Sequence, residues 1–222
     1  MMRGIDAKIV KLAVLLAAAS GSAVAQSDVP RSSAEGGPRI FEVTARVLNL
    51  RERQSTASPI TATVRRGTIL SNLGCSREGG QVWCDVQPLT GGARGYVAAR
   101  YVKPRVSPDG AVATGIDNSA LRAGQGDFDA TGPVPCAKRP AGSMVVCQMG
   151  VARAGGGFAT VVVTHPDGTK RALYFSNGIA IGADTSEADY SGPFTATRDK
   201  DSFIIKVGKE RYEIVDAIIF GG

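Results

Sequence analysis

Two short-range cysteine pairs constrain this chain more than any other feature of it. Cys75 and Cys84 stand symmetrically about Glu78-Gly79-Gly80-Gln81, and Cys136 and Cys147 stand symmetrically about Ala141-Gly142. A hairpin centred between Gly79 and Gly80 puts Cys75 directly opposite Cys84, where the Cβ atoms of a non-hydrogen-bonded pair come close enough to bridge. The same arithmetic centres the second pair between Ala141 and Gly142. Both pairs are therefore expected to be disulfide staples of β-hairpins. Zinc is the weaker reading, because no Cys-x-x-Cys occurs and His165 is the single histidine, so a four-cysteine site would have to join both halves of the chain.

Residues 1–25 point to the same chemistry. Arg3, Lys8 and Lys11 come before the apolar run Leu12 to Ala19, and Ala23-Val24-Ala25 comes before Gln26, which is the layout of a cleaved secretory signal. The run is too short to span a bilayer, and no later segment reaches the length of about eighteen apolar residues that would. A periplasmic or secreted protein without a transmembrane segment is expected, in a compartment where cysteines oxidise. The net charge of +6 is dispersed, with no Lys/Arg-rich run, and this argues against a nucleic-acid partner.

The expected fold class is all-β, with two units. Residues 26–40 read as a disordered polar leader, 41–104 as a first β domain, 105–120 as a linker and 121–222 as a second antiparallel β domain. In the first domain short runs such as "VLNLRE", "TILSNLGC" and "QVWCDV" alternate with turn residues. After the linker, Ser119 to Ala123 suits one helical turn and the stretch to Ser143 reads as irregular. β runs then follow, including "MVVCQMGVAR", "GFATVVVTH", "KRALYFSNG", "FTATRD" and a terminal "AIIF". Abundant glycine, 28 residues, fits many tight turns. A turn at Gly208-Lys209 sets Ile205 against Tyr212 and Phe203 against Ile214, giving one apolar face, with Lys206 across from Arg211 on the other.

Leu48-Asn49-Leu50-Arg51, Arg66-Gly67-Thr68, Trp83-Cys84-x-Val86, Gly95-Tyr96-Val97 and Arg100-Tyr101-Val102 follow one another in an order and spacing that resembles the bacterial SH3 domain. The resemblance covers about Phe41 to Pro104 and implies a small SH3-like β-barrel used for targeting or ligand binding, often to cell-wall peptides. Tyr96 stands where that family often has Trp, which keeps an aromatic face and changes its shape. The segments "GQGDFDATGPVPCA" and "RYEIVDAIIFGG", with those between, resemble a module of exported proteobacterial proteins to which no activity is assigned.

Trp83, Tyr96 and Tyr101 are the candidate ligand-binding aromatics, since rigid rings pack on a peptide or sugar at small entropic cost. The hairpin register sends Trp83 to the face opposite Cys84. Arg51 and Arg53 are the candidate anion-binding residues, with Arg65 and Arg66 nearby. The acidic loop with Asp184, Glu187 and Asp189 lacks the order of an EF-hand, as does the pair Asp127 and Asp129, so no metal is assigned. His165 in "THPDG" reads as a turn residue. No G-x-S-x-G elbow occurs and all cysteines are expected to be oxidised, so no catalytic residue and no cofactor is expected. The expected role is binding, with a cell-wall peptide or envelope protein as partner. The alternatives are an interaction or inhibitory role of the C-terminal module, or a role as a cell-wall hydrolase or an accessory to one. Oligomeric state is not legible.

Overall fold

Two antiparallel sheets make up most of what the structure, a computed structural model, describes: residues 29–139, 143–186 and 192–221. The secretory-signal reading of 1–25, the turn centre Ala141-Gly142, and Glu187 and Asp189 lie outside these residues. Among the described residues no helix is long and apolar enough to cross a membrane.

The first sheet comprises β1 (Ile40–Val43), β2 (Val47–Arg51), β3 (Ile60–Arg65), β4 (Ile69–Glu78), β5 (Gln81–Pro88), β6 (Gly95–Ala98) and β7 (Val102–Pro104). Its order is β3-β2-β6-β5-β4-β1-β7. Strand alternation explains its core: Leu48 and Leu50 of β2, Cys84 and Val86 of β5 and Val97 of β6 turn inward, and Phe41 and Val43 join them from β1. The β4–β5 register is the one the cysteine spacing predicts, with Cys75 opposite Cys84, Ser76 opposite Trp83 and Glu78 opposite Gln81. The two cysteines are bonded, with Cα atoms 4.0 Å apart.

The second sheet comprises β8 (Ala130–Ala137), β9 (Val145–Gly155), β10 (Phe158–Thr164), β11 (Lys170–Ser176), β12 (Ile179–Ala183), β13 (Phe194–Asp199), β14 (Ser202–Val207) and β15 (Glu210–Val215). Its order is β12-β11-β10-β9-β8-β15-β14-β13, and the edge strands β12 and β13 approach each other, so the sheet nearly closes as a barrel. The helix α1 (Ser119–Gly124) packs on β9 and β10, and α2 (Asp216–Phe220) packs on β9 and β15. Ile205 pairs with Tyr212, Phe203 with Ile214 and Lys206 with Arg211, as the Gly208-Lys209 turn requires.

Several expectations are corrected. The leader is not free over its described part: the buried Asn72 amide donates to the carbonyls of Arg31 (2.7 Å) and Pro38 (2.8 Å) and pins it to β4. The linker also packs, since Ala113 is buried with Ile40 and Phe158 between the two domains. β8 is a strand where an irregular segment was expected; β15 pairs with it only at Cys136 and Ala137, so Pro133 and Pro135 sit beyond that overlap, where a missing N–H costs no ladder bond to β15. β12 was likewise not anticipated. "AIIF" is helical, because Ile219 must reach the core from the end of the barrel while Asp216 stands in the first helical turn. The second disulfide joins Cys136 and Cys147 diagonally, not face to face: Cys136 pairs with Val145 and Val134 with Cys147. The register is set by the buried row Val134, Cys136, Cys147, Met149 and Val151, and a Cα separation of 5.9 Å still permits the bridge.

Candidate functional site

Strand alternation on the outer face of the first sheet builds a groove. Val47, Asn49 and Arg51 project outward from β2 because Leu48 and Leu50 are committed to the core. Trp83 projects outward from β5 because Cys84 is committed inward, and it pairs across the ladder with Ala98 of β6. A short 3-10 turn, Ala99–Tyr101, then carries Arg100 and Tyr101 to the same place. The result is a concavity of about 320 Å³ whose floor includes Leu48, Trp83 and Ala98 and whose polar side chains include Asn49, Arg51, Thr56, Gln81 and Arg100.

Trp83 lies outside the first core cluster yet is only 4% exposed, so it forms the floor. Tyr101, 38% exposed, stands at the rim, with the Arg100 guanidinium 4.7 Å above its ring. Arg100 is oriented from the other side by a 2.8 Å hydrogen bond from Nη1 to the Gln81 side-chain oxygen. Arg51 Nη1 donates to the Ser58 carbonyl at 2.7 Å, which ties the loop between β2 and β3 to the groove wall. No carboxylate is among the lining residues, so two guanidiniums and two aromatic rings share the groove without a negative charge beside them.

Of the five binding residues expected from the sequence, the groove brings together Trp83, Tyr101 and Arg51. Tyr96 stands opposite Arg51 and Asp85 in the ladder, on the same outer face but not in the groove lining. Arg53 points away, with its side chain 81% exposed beside Glu52. The groove also takes in Asn49, Gln81 and Arg100, which are not among the residues expected from the sequence. Arg100 had a legible signal, its position beside Tyr101 at the closing turn.

Residues 46–103 match the bacterial SH3 domain family. The groove is thus a feature of the SH3 domain, made by its β2, β5, β6 and closing 3-10 turn. No curated protein matches the chain.

The other residues singled out by the sequence fall elsewhere. Arg122 closes on both Asp127 and Asp129, at 2.7 Å each, and its hydrogen bonds hold both carboxyls below their usual range. That pair is an arginine's partner. In the acidic loop, Asp184 Oδ1 accepts from the Ser186 N–H at 2.9 Å. His165 does open the turn, accepting from the Gly168 N–H at 2.9 Å, but it is not simply a turn residue: its side chain is 3% exposed, with Nδ1 3.5 Å from Cys147 Sγ and Nε2 2.9 Å from the Tyr212 hydroxyl.

Proposed function

We propose that this is an exported, non-catalytic binding protein whose SH3 domain docks a carboxylate-bearing cell-wall peptide in the Trp83–Tyr101 groove. The observation that carries this reading is the groove's composition: Arg51 and Arg100 beside Trp83 and Tyr101, with no lining carboxylate. A wall peptide offers terminal carboxylates for the forked guanidiniums and short aliphatic side chains for the rings. The match to the bacterial SH3 domain supports a wall ligand, and two bonded cysteine pairs suit an oxidising compartment. The second domain anchors the first and presents it.

The test is sedimentation of the full chain with purified peptidoglycan, comparing wild type with Arg100→Ala and Tyr101→Ala. Each variant is expected to bind about 10-fold or more weakly with its thermal midpoint little changed, because both side chains sit at the rim. Binding unchanged in both would refute the groove. Trp83→Ala is a poor probe, since emptying so buried a site costs about 3–5 kcal/mol of stability.

A further inference from the structure

The second domain holds a polar chain that the binding reading does not use. Arg171 donates from Nε and Nη2 to the Glu210 carboxylate at 2.8 and 3.2 Å, and the Tyr212 hydroxyl donates to the same carboxylate at 2.8 Å. Burial works to raise the Glu210 carboxyl, yet the hydrogen bonds from Arg171 and Tyr212 hold it below its ordinary value, so it is ionised.

Proton accounting then fixes the histidine. The single hydroxyl proton of Tyr212 goes to Glu210, so its oxygen accepts from His165 Nε2–H at 2.9 Å. The ring is buried, which favours its neutral form. Nδ1 therefore carries a lone pair, aimed at Cys147 Sγ 3.5 Å away. A disulfide sulfur has no hydrogen to give. The imidazole, on a residue only 3% exposed, thus turns an acceptor toward an atom that has no hydrogen to give it.

We propose that in the dithiol state Cys136, Cys147 and His165 form a three-ligand site for a borderline-soft divalent metal ion, zinc being the natural fit. One ligand atom from each of the three residues already lies within 4.8 Å of the others. Tetrahedral zinc–thiolate geometry needs the sulfurs about 3.8 Å apart, which side-chain rotation provides across a Cα separation of 5.9 Å. Two thiolates neutralise a divalent ion, so the occupied site buries no net charge. The Nε2–H···Tyr212···Glu210 chain is the outer-shell support that fixes a ligating imidazole's tautomer and orientation. An opening of about 280 Å³ between Ala137, Val145, Pro166 and Asp167 reaches His165 and provides access, and the fourth coordination position is left to solvent.

The conversion balances. A dithiol reductant supplies two electrons and two protons to the disulfide and leaves as a cyclic disulfide; the metal ion then displaces both thiol protons, while Nδ1 contributes its pair without losing one. The Cys75–Cys84 pair has no histidine beside it and serves as an internal control.

The full chain, reduced anaerobically, is titrated with cobalt(II) and followed by the thiolate-to-cobalt charge-transfer band, with alkylation and peptide mapping of the occupied form. The site predicts that metal protects Cys136 and Cys147 but not Cys75 and Cys84, and that Tyr212→Phe weakens affinity by about 10–100-fold. His165→Ala should lower affinity further. Absence of the band, equal protection of all four cysteines, or an unchanged affinity in Tyr212→Phe would overturn the proposal. Should reduction unfold the domain, zinc is expected to restore its near-ultraviolet dichroism; a chain that stays unfolded in excess zinc overturns it equally.

Discussion

Cys84 points into the first core and Trp83, one residue earlier, points out of it, so neighbouring substitutions report different things. The sequence shows this parity directly, because one bridge and one turn fix every side-chain direction along β5. It does not show which outward residues converge: Tyr96 and Arg53 had the right chemistry, but the groove lies a step along the face from Tyr96, and Arg53 falls in the loop beyond β2. His165 yields the residue-scale prediction, for the disulfide-closed protein. Its pKa is lowered from 6.5 by burial, with Glu210, Lys138, Asp167 and Arg171 around it. As pH falls through 6.5 the unfolded chain binds a proton that the folded chain refuses, so this contribution to stability is complete above that pH and lost below it. The urea midpoint should fall between about pH 7.5 and about pH 5.5, and His165→Gln should remove most of the decline. Since His165 is the single histidine, an equal decline in the variant would sink the assignment.

At the scale of elements, legibility follows the turns. The β14–β15 hairpin was readable because its turn residues and its period-two face agree. β8 was hidden by its prolines, which are tolerated because of where β15 stops, a fact no local pattern encodes. The helix α2 was hidden because a run of apolar residues is ambiguous until its destination is known. That destination is the Gly157–Gly178 crossing, where Phe220 lies over two turn glycines. Gly157 has φ +74°, and a Cβ there would meet the Gly178 nitrogen at 2.3 Å. Gly157→Ala is therefore expected to cost about 1–3 kcal/mol, seen as a lower thermal midpoint. An unchanged midpoint would mean that the crossing tolerates separation.

The whole molecule depends on a junction that composition presents as a linker. The buried Arg39 donates to the carbonyls of Gly115 (2.9 Å) and Ile116 (2.8 Å), and its guanidinium lies 4.8 Å over the Phe158 ring of the second domain. Polar leader and polar linker thus order each other through this side chain, which no periodicity marks, together with backbone bonds from Arg39 to Ala113 (2.8 Å) and from Gly115 to Gly37 (3.0 Å). Arg39→Ala leaves two carbonyls without their donor and should speed limited proteolysis within residues 105–118 severalfold while both domains still unfold cooperatively. Proteolysis at the wild-type rate would show that Ala113 packing and the backbone bonds hold the junction without the guanidinium.

The central claim is that the SH3 groove takes a carboxylate-bearing wall peptide. Trp83 is the single tryptophan and forms the groove floor, so its indole N–H gives one resolvable signal at the site itself. The most direct measurement is a heteronuclear NMR titration of the isotopically labelled full chain with a soluble wall stem peptide. The indole signal and the amides of Asn49, Gln81, Arg100 and Tyr101 are expected to shift together along one saturable curve, displaced to about 10-fold higher peptide in Arg100→Ala. A stationary indole signal while residues elsewhere respond, or no response at millimolar peptide, would contradict it.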